Sequence, residues 1–294
     1  MNKLLLSIIC LFAFTCANAA NDKAFAWQLT SGDTTVYLVG SIHFADKSFY
    51  PLRQEIENAF ARSDNLVVEL DVNSIDAGVY SSLLSQKGVY KDGKTIKDVI
   101  SEKTWRQLHR RLTALNIDYD AIKNYRPGVL VLTLSSMQAM QLGFDPQLGI
   151  DVHFLLEAAR QSKNIIALET LEQQINLFLN IPDGELLLKE SLYSLDEAES
   201  VMADLVRYWK QGDETQMSKL LFEDAVKDNP AFTEIYDRLI YERNTQMTAK
   251  INAMLKQKSA EKRVYFVVVG TGHLIGEQGI VNALKDQGYE VKRF

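Results

Sequence analysis

Two of the four histidines in this 294-residue sequence stand in the same frame. VYLVGSIHF (36–44) and VYFVVVGTGHL (264–274) each run an apolar, strand-like segment into Gly-x-x-His. Neutral imidazole is the commonest side-chain metal ligand. A glycine three residues ahead lets the chain turn sharply out of a sheet, with positive φ if needed. A pair built alike at opposite ends of the chain predicts that His43 and His273 converge on one metal ion. Glu69 sits within the apolar run LVVEL, and Glu169 ends NIIALE. A carboxylate desolvated in such a place must be ion-paired or bound to a cation. For both glutamates, ligation and a salt bridge to an arginine stay open. The ligand-capable groups are therefore His43, Glu69, Glu169 and His273. Mixed histidine and carboxylate ligation suits zinc, manganese or cobalt. Metal-activated water at such a site hydrolyses carbonyl compounds.

The remaining candidates have simpler explanations. His109, in HRRL, falls on a charged helical face, and His153 packs at the edge of a core. Asp71 reads as a surface acid of the next loop. Asp151 and Glu277 read as charges at helix N-termini, favoured by the dipole. Arg243 and Asn244 lie deep in the helical IYERNTQMTAKI, from which an arginine reaches the crevice if it is not a surface charge. VVVGTGHLIGEQG resembles a dinucleotide fingerprint, but its G-x-G-x-x-x-G spacing is one residue too long.

The elements that must position these groups follow from periodicity. FAWQLTSGDTTVYLVG predicts a hairpin with its turn at Ser31-Gly32-Asp33. LRQEIENAFARSD and GIDVHFLLEAARQSK have helical spacing, and each leads through an asparagine into a short apolar strand ending in glutamate. TIKDVISEKTWRQLHRRLTALN is helical, and RPGVLVLTLSSMQAMQLG is a core helix opening on proline and stopping at Gly143. Leu171 to about Lys258 is helical with breaks at Pro182-Asp183-Gly184, Gly212-Asp213 and Asn229-Pro230. KRVYFVVVG is a buried strand, followed by a helix near 277–287 and a last strand, YEVKRF. The pattern is α/β: a central mixed sheet with two strand–Gly-x-x-His–helix units and large helical insertions. Open α/β sheets place functional groups beyond the carboxyl ends of their strands. His43, Glu69, Glu169 and His273 are all predicted to arrive there.

Residues 1–19 have the basic start, apolar run and Ala17-Asn18-Ala19 site of a secretory signal peptide, with cleavage between Ala19 and Ala20. That leaves one domain over 20–294, exported to a bacterial periplasm without a stable membrane anchor. Both cysteines of the sequence, Cys10 and Cys16, lie in the leader, so disulfides and thiolate chemistry are excluded from the mature chain. The full sequence has a net charge of −6, and loss of Lys3 leaves −7. No basic cluster interrupts this balance, which argues against nucleic acid as a partner.

Residues 25–294 resemble the TraB/GumN family, which is related to the Tiki metalloproteases and more distantly to erythromycin-esterase and haem-binding ChaN-like folds. The likeness rests on VYLVGSIHF, DNLVVELD, GIDVHFLLEAA with IIALETLEQQ, YERNTQM and VVVGTGHLIGEQGIVNALKDQGYEV, in that order. It implies a divalent-metal-dependent hydrolase, a peptidase in the Tiki members. The family's histidines fall on His43 and His273, its acid on Glu69, and its arginine–asparagine pair on Arg243 and Asn244; Glu169 matches a further glutamate of open role. The expected ligand set is therefore His43, Glu69 and His273, with Glu169 as general base if it is not itself a ligand and Arg243 steadying an oxyanion or a substrate carboxylate. The expected partner is a peptide or other small substrate. The rival expectation is a protein of the same fold that binds a peptide or small ligand and turns nothing over.

Overall fold

The hairpin forms around Gly32, whose φ of +56° suits the tight turn. It joins β1 (Ala26–Ser31) to β2 (Thr34–Ser41), paired antiparallel from Ala26↔Val39 to Ser31↔Thr34. The computed structural model describes residues 22–257 and 261–294. The expected leader and its cleavage site lie outside the described residues.

Four strands run parallel. β5 (Arg263–Gly270) pairs with β2 from Thr34↔Arg263 through Ser41↔Gly270. On its other side it pairs with β3 (Asn65–Val68), which in turn pairs with β4 (Asn164–Ala167). With β6 (Lys292–Arg293) antiparallel to β1, the order is β4-β3-β5-β2-β1-β6. The chain is thus α/β around a mixed sheet, as its sequence pattern predicts. The unbroken apolar run of β5 is explained by its central place, buried along most of its length. The last strand is shorter than YEVKRF, because only Lys292 and Arg293 meet β1.

Helices cover the sheet with aromatic contacts. Phe60 from helix Gln54–Ala61 and Phe154 from helix Ile150–Arg160 stack on Phe266 of β5, with ring centroids 5.3 and 4.7 Å away. Met247, Ile251 and Leu255 of helix Glu242–Lys256 join the same core. The helical insertions build a second core of their own. Leu108 and Leu112 meet Leu130, Leu134, Leu188 and Leu192 there, on helices Glu102–Ala114, Pro127–Gln141 and Gly184–Asp196. Helix Pro127–Gln141 is the expected core helix with proline in its first turn. Among the described residues no helix is long and apolar enough to cross a membrane.

The first Gly-x-x-His glycine has a role other than the expected turning freedom. Neither Gly40 nor Gly270 takes a positive φ. Gly40 is a point of close approach: an added Cβ would stand 2.7 Å from Thr271 Oγ1 and 2.9 Å from Phe25 Cβ. Thr271 Oγ1 donates to the Ser41 carbonyl at 3.0 Å, and Trp209 Nε1 to the Gly40 carbonyl at 3.0 Å. The first bond clamps the end of β2 against the start of the second His-bearing turn, and the second ties it to helix Ala198–Gln211. Gly40→Ala is therefore expected to lose about 1–3 kcal/mol of stability through overpacking. Urea denaturation of a chain spanning residues 20–294 checks it, and an unchanged midpoint would show that no close contact exists.

Candidate metal centre

The carboxyl ends of the four parallel strands carry the predicted groups in the order of the strands. Glu169 lies just beyond β4, Glu69 just beyond β3, His273 in the one-turn helix Thr271–Leu274 after β5, and His43 two residues after β2. The Glu169 amide donates to the Glu69 carbonyl at 2.8 Å, so the two glutamates leave adjacent strands side by side. His273 Nε2 lies 3.8 Å from Glu69 Oε2, and His43 Nε2 lies 4.0 Å from Glu69 Oε1.

At the centre of these three groups is the space left by a missing side chain. A Cβ on Gly270 would stand 3.3 Å from Glu69 Oε1, 3.4 Å from His43 Nε2 and 3.6 Å from His273 Cδ2. Glycine thus keeps open a cradle that any side chain would fill.

Both imidazoles are oriented through their other nitrogen. Asn244 Nδ2 donates to the Gln278 carbonyl at 2.9 Å, which leaves Oδ1 to accept from His273 Nδ1 at 2.7 Å. That assigns the proton to Nδ1 and leaves the Nε2 lone pair facing Glu69. His43 Nδ1 donates to Asp151 Oδ2 at 3.1 Å. Such second partners fix ring and tautomer in metal-ligating histidines. Asp151 is a correction: it sits in the first turn of its helix as expected, but its carboxylate holds His43 rather than merely answering the dipole. A histidine after a strand and an acid opening a distant helix leave no spacing signal for the pair.

Protonation differs sharply between the two rings. Burial pushes His273 down to about 4, so it is neutral at pH 7. The Asp151 carboxylate lifts His43 to about 9, against the opposing effect of burial. Water reaches 53% of the His43 side chain and screens part of that pairing. A cation bound by His43 has to displace its proton. Burial works to raise the Glu69 carboxyl, but His273, His43, Arg243 and the Gly270 amide outweigh it and hold it at about 2.

Arg243 reaches the crevice and joins both glutamates. Its Nη2 donates to Glu69 Oε2 and to Glu169 Oε2, each at 2.6 Å, its Nε to Glu169 Oε1 at 2.8 Å, and its Nη1 to the Leu239 carbonyl at 2.9 Å. Gln174 Nε2 adds a bond to Glu169 Oε2 at 2.9 Å. Both Glu169 oxygens are therefore engaged, an arrangement that suits an anchor for Arg243 better than the general base expected of it. Glu69 takes the Gly270 amide on Oε1 at 2.6 Å and Arg243 on Oε2, with lone pairs to spare on each oxygen.

The other sequence candidates stay outside this constellation. His109 is exposed, and His153 pairs with Glu57 at 3.2 Å beside the Tyr50 ring. Glu277 lies in an exposed turn three residues before helix Ile280–Asp286, not at its start. Asp71 is half-buried, and its Oδ1 has no hydrogen-bond partner among the described residues.

The donor set has the right chemistry for a borderline divalent ion: two inward Nε2 atoms and one carboxylate. Its edges of 3.8 and 4.0 Å are wider than the about 3.0–3.4 Å between ligand atoms held about 2.1 Å from an ion. Among the described residues no group of three or more His, Cys, Asp or Glu is placed to hold a metal ion. The three groups must draw in by several tenths of an ångström to close on a cation.

Fold and site together define an α/β protein that gathers two imidazoles and a carboxylate at the carboxyl edge of a parallel sheet. The chain belongs to the TraB/PrgY/gumN family, whose model matches residues 25–293. It is 26% identical to "Uncharacterized protein YbaP" of Escherichia coli over 86% of this chain and 89% of that protein. It is 25% identical to "Metalloprotease TIKI2" of Xenopus tropicalis and 22% identical to "Metalloprotease TIKI1" of Homo sapiens, covering 92% of this chain in both cases. The matches span 60% and 62% of those two proteins. No solved structure matches the chain.

Arg243→Ala leaves two buried carboxylates without their cation and is expected to cost about 3–5 kcal/mol. Arg243→Met combined with Glu169→Gln should recover part of that loss. The folded-state depression of Glu69 also fixes a sign. Its contribution to stability is complete above the ordinary value of 4.5 and disappears as pH falls toward about 2. Denaturation midpoints of the wild type and Glu69→Gln should converge in acid across that window; parallel curves would contradict the assignment.

Proposed function

We propose that this protein is an exported, divalent-metal-dependent hydrolase of peptide-like substrates, with His43, Glu69 and His273 as the metal-holding residues. The observation that carries this reading is the cradle at Gly270, bounded by donor atoms of all three. The charge count supports it. Once an incoming cation has displaced the proton that Asp151 holds on His43, the carboxylates of Glu69, Glu169 and Asp151 are offset by the Arg243 guanidinium alone, leaving two negative charges for a divalent ion to balance. The Tiki relatives, named metalloproteases, support the same class. Export to the periplasm rests on the leader-like N-terminus.

When bound, a zinc, manganese or cobalt ion supplies Lewis acidity that activates water near neutral pH and polarises a carbonyl. The chain's own residues prepare the place for it. Asp151 and Asn244 hold the two rings with Nε2 inward, so that orientation is settled before substrate arrives. Glu69 sits ionised between them. Four of the five N–H donors of Arg243 are committed to Glu69, Glu169 and Leu239, and the fifth, on Nη1, remains to steady an oxyanion or a substrate carboxylate.

One observation favours a second reading. The Arg243 guanidinium already pairs Glu69 and Glu169 with no need of a metal ion, which suits a site that binds a peptide or small ligand and turns nothing over.

Gly270→Ala separates the two readings. The backbone there has φ −50°, open to alanine, and the methyl contacts of 3.3–3.6 Å are tight but bearable. The variant should fold with near wild-type stability yet lose metal-dependent hydrolysis of a mixed peptide library. His43→Ala and His273→Ala should do the same, and Asn244→Ala should weaken metal binding about 10–100-fold. Full turnover in any of the first three, or no metal-stimulated turnover in the wild type at any supplement, removes the hydrolase reading.

A further inference from the structure

Beside the proposed metal centre a polar groove follows helix Leu171–Leu179. Its near half is a cavity of about 270 Å³ that begins at Glu169 and Arg243 and is floored by Gln173, Asn176 and Asn180. Its far half, about 520 Å³, shares Asn176 and Asn180 and ends among Tyr90, Lys91 and Arg126. The two cavities therefore form one channel that opens from the site.

The halves differ in charge. The near half sets the side-chain amides of Gln173, Asn176, Asn180 and Gln246, which offer both donors and acceptors in the pattern that a peptide backbone presents, beside the oppositely charged Arg238 and Glu242. The far half carries unspent positive charge. Lys87 is paired with Glu172 at 2.6 Å, and the acid on that wall, Asp92, is paired with Lys94 at 2.9 Å. Lys91 and Arg126 have no ion-pair partner among the described residues. Arg126 instead lies over the Tyr90 ring, its carbon 5.7 Å from the centroid, and its Nη1 reaches the Lys87 carbonyl at 3.4 Å. Two free cations lining one concavity stand out in a chain whose net charge is −6.

The floor of the near half runs from Gln173 to Asn180, about 10 Å of helix, which an extended peptide covers in about three residues. We infer that this groove is a substrate-binding channel for an extended acidic peptide. Its backbone meets Gln173, Asn176 and Asn180, and a carboxylate further along the peptide seats between Lys91 and Arg126. The inference rests on the proposed hydrolase reading for its direction, since the cradle marks where the peptide is cut, but the channel binds whether or not cleavage occurs.

The test reads binding, so that it stands apart from turnover. Dansylated, amidated Ala/Gly octapeptides, one neutral and the others with a single Asp at each position in turn, are titrated into the mature protein by fluorescence anisotropy. One Asp position is expected to bind about tenfold tighter than the neutral parent, the scale of one charge-assisted contact. Lys91→Gln with Arg126→Gln should level the series, whereas His273→Ala should preserve the preference. Equal binding of every peptide to the wild type overturns the inference, as does a preference that survives the double substitution. An oligogalacturonate that binds where no peptide does overturns it as well. No metal-stimulated hydrolysis by the wild type, with the Asp preference intact, would fault the hydrolase reading alone.

Discussion

Eight consecutive residue pairs lock β2 to β5, and the position of every chemical group at the site depends on that register. The two Gly-x-x-His segments look identical along the chain, yet they are not level in the sheet. Gly40 pairs with Val269 and Ser41 with Gly270, so the units are staggered by one residue, about 3.3 Å along the strand. The stagger puts Gly40 to one use and Gly270 to another. The first packs bare backbone against Thr271, and the second leaves a hollow among His43, Glu69 and His273. A slip of one residue would turn the flanking valines to opposite faces, so burial of the central strands defends the geometry of the site.

Around the hollow, two carboxylates share one guanidinium. Glu69 and Glu169 are 8% exposed and Arg243 12% exposed, so their pairing is little screened by water. Buried ion pairs cost desolvation that their attraction only partly returns. The network is therefore better understood as a device that keeps two acids ionised and placed than as a source of stability. The second helical core, around Leu130, Leu134 and Leu188, stands beside this network and forms the far wall of the groove through Arg126 and its neighbours.

Much of this was legible in the sequence. Apolar runs ending in Gly-x-x-His or in glutamate announced four strand ends, and parallel pairing brought them to one edge. The pattern could not announce how the ends are held. Asp151 opens an ordinary amphipathic helix, and only the fold lays its carboxylate on His43, 108 residues away in the chain. Gly40 and Gly270 suggest turning freedom, whereas their value lies in what a Cβ would strike, and that depends on residues from other elements. Glu169 has the signature of a reactive carboxylate, but an arginine from a distant helix claims it. Long-range side-chain pairing leaves no periodic trace, while strand ends and helix starts do.

The central claim is that His43 and His273 bind the same ion as Glu69. X-ray absorption at the metal edge of mature protein reconstituted with zinc tests it most directly. Two imidazoles and a carboxylate oxygen in the coordination shell are predicted, with one imidazole lost in His43→Ala and one in His273→Ala. A shell of water and carboxylate oxygens alone, unchanged by either substitution, would contradict it.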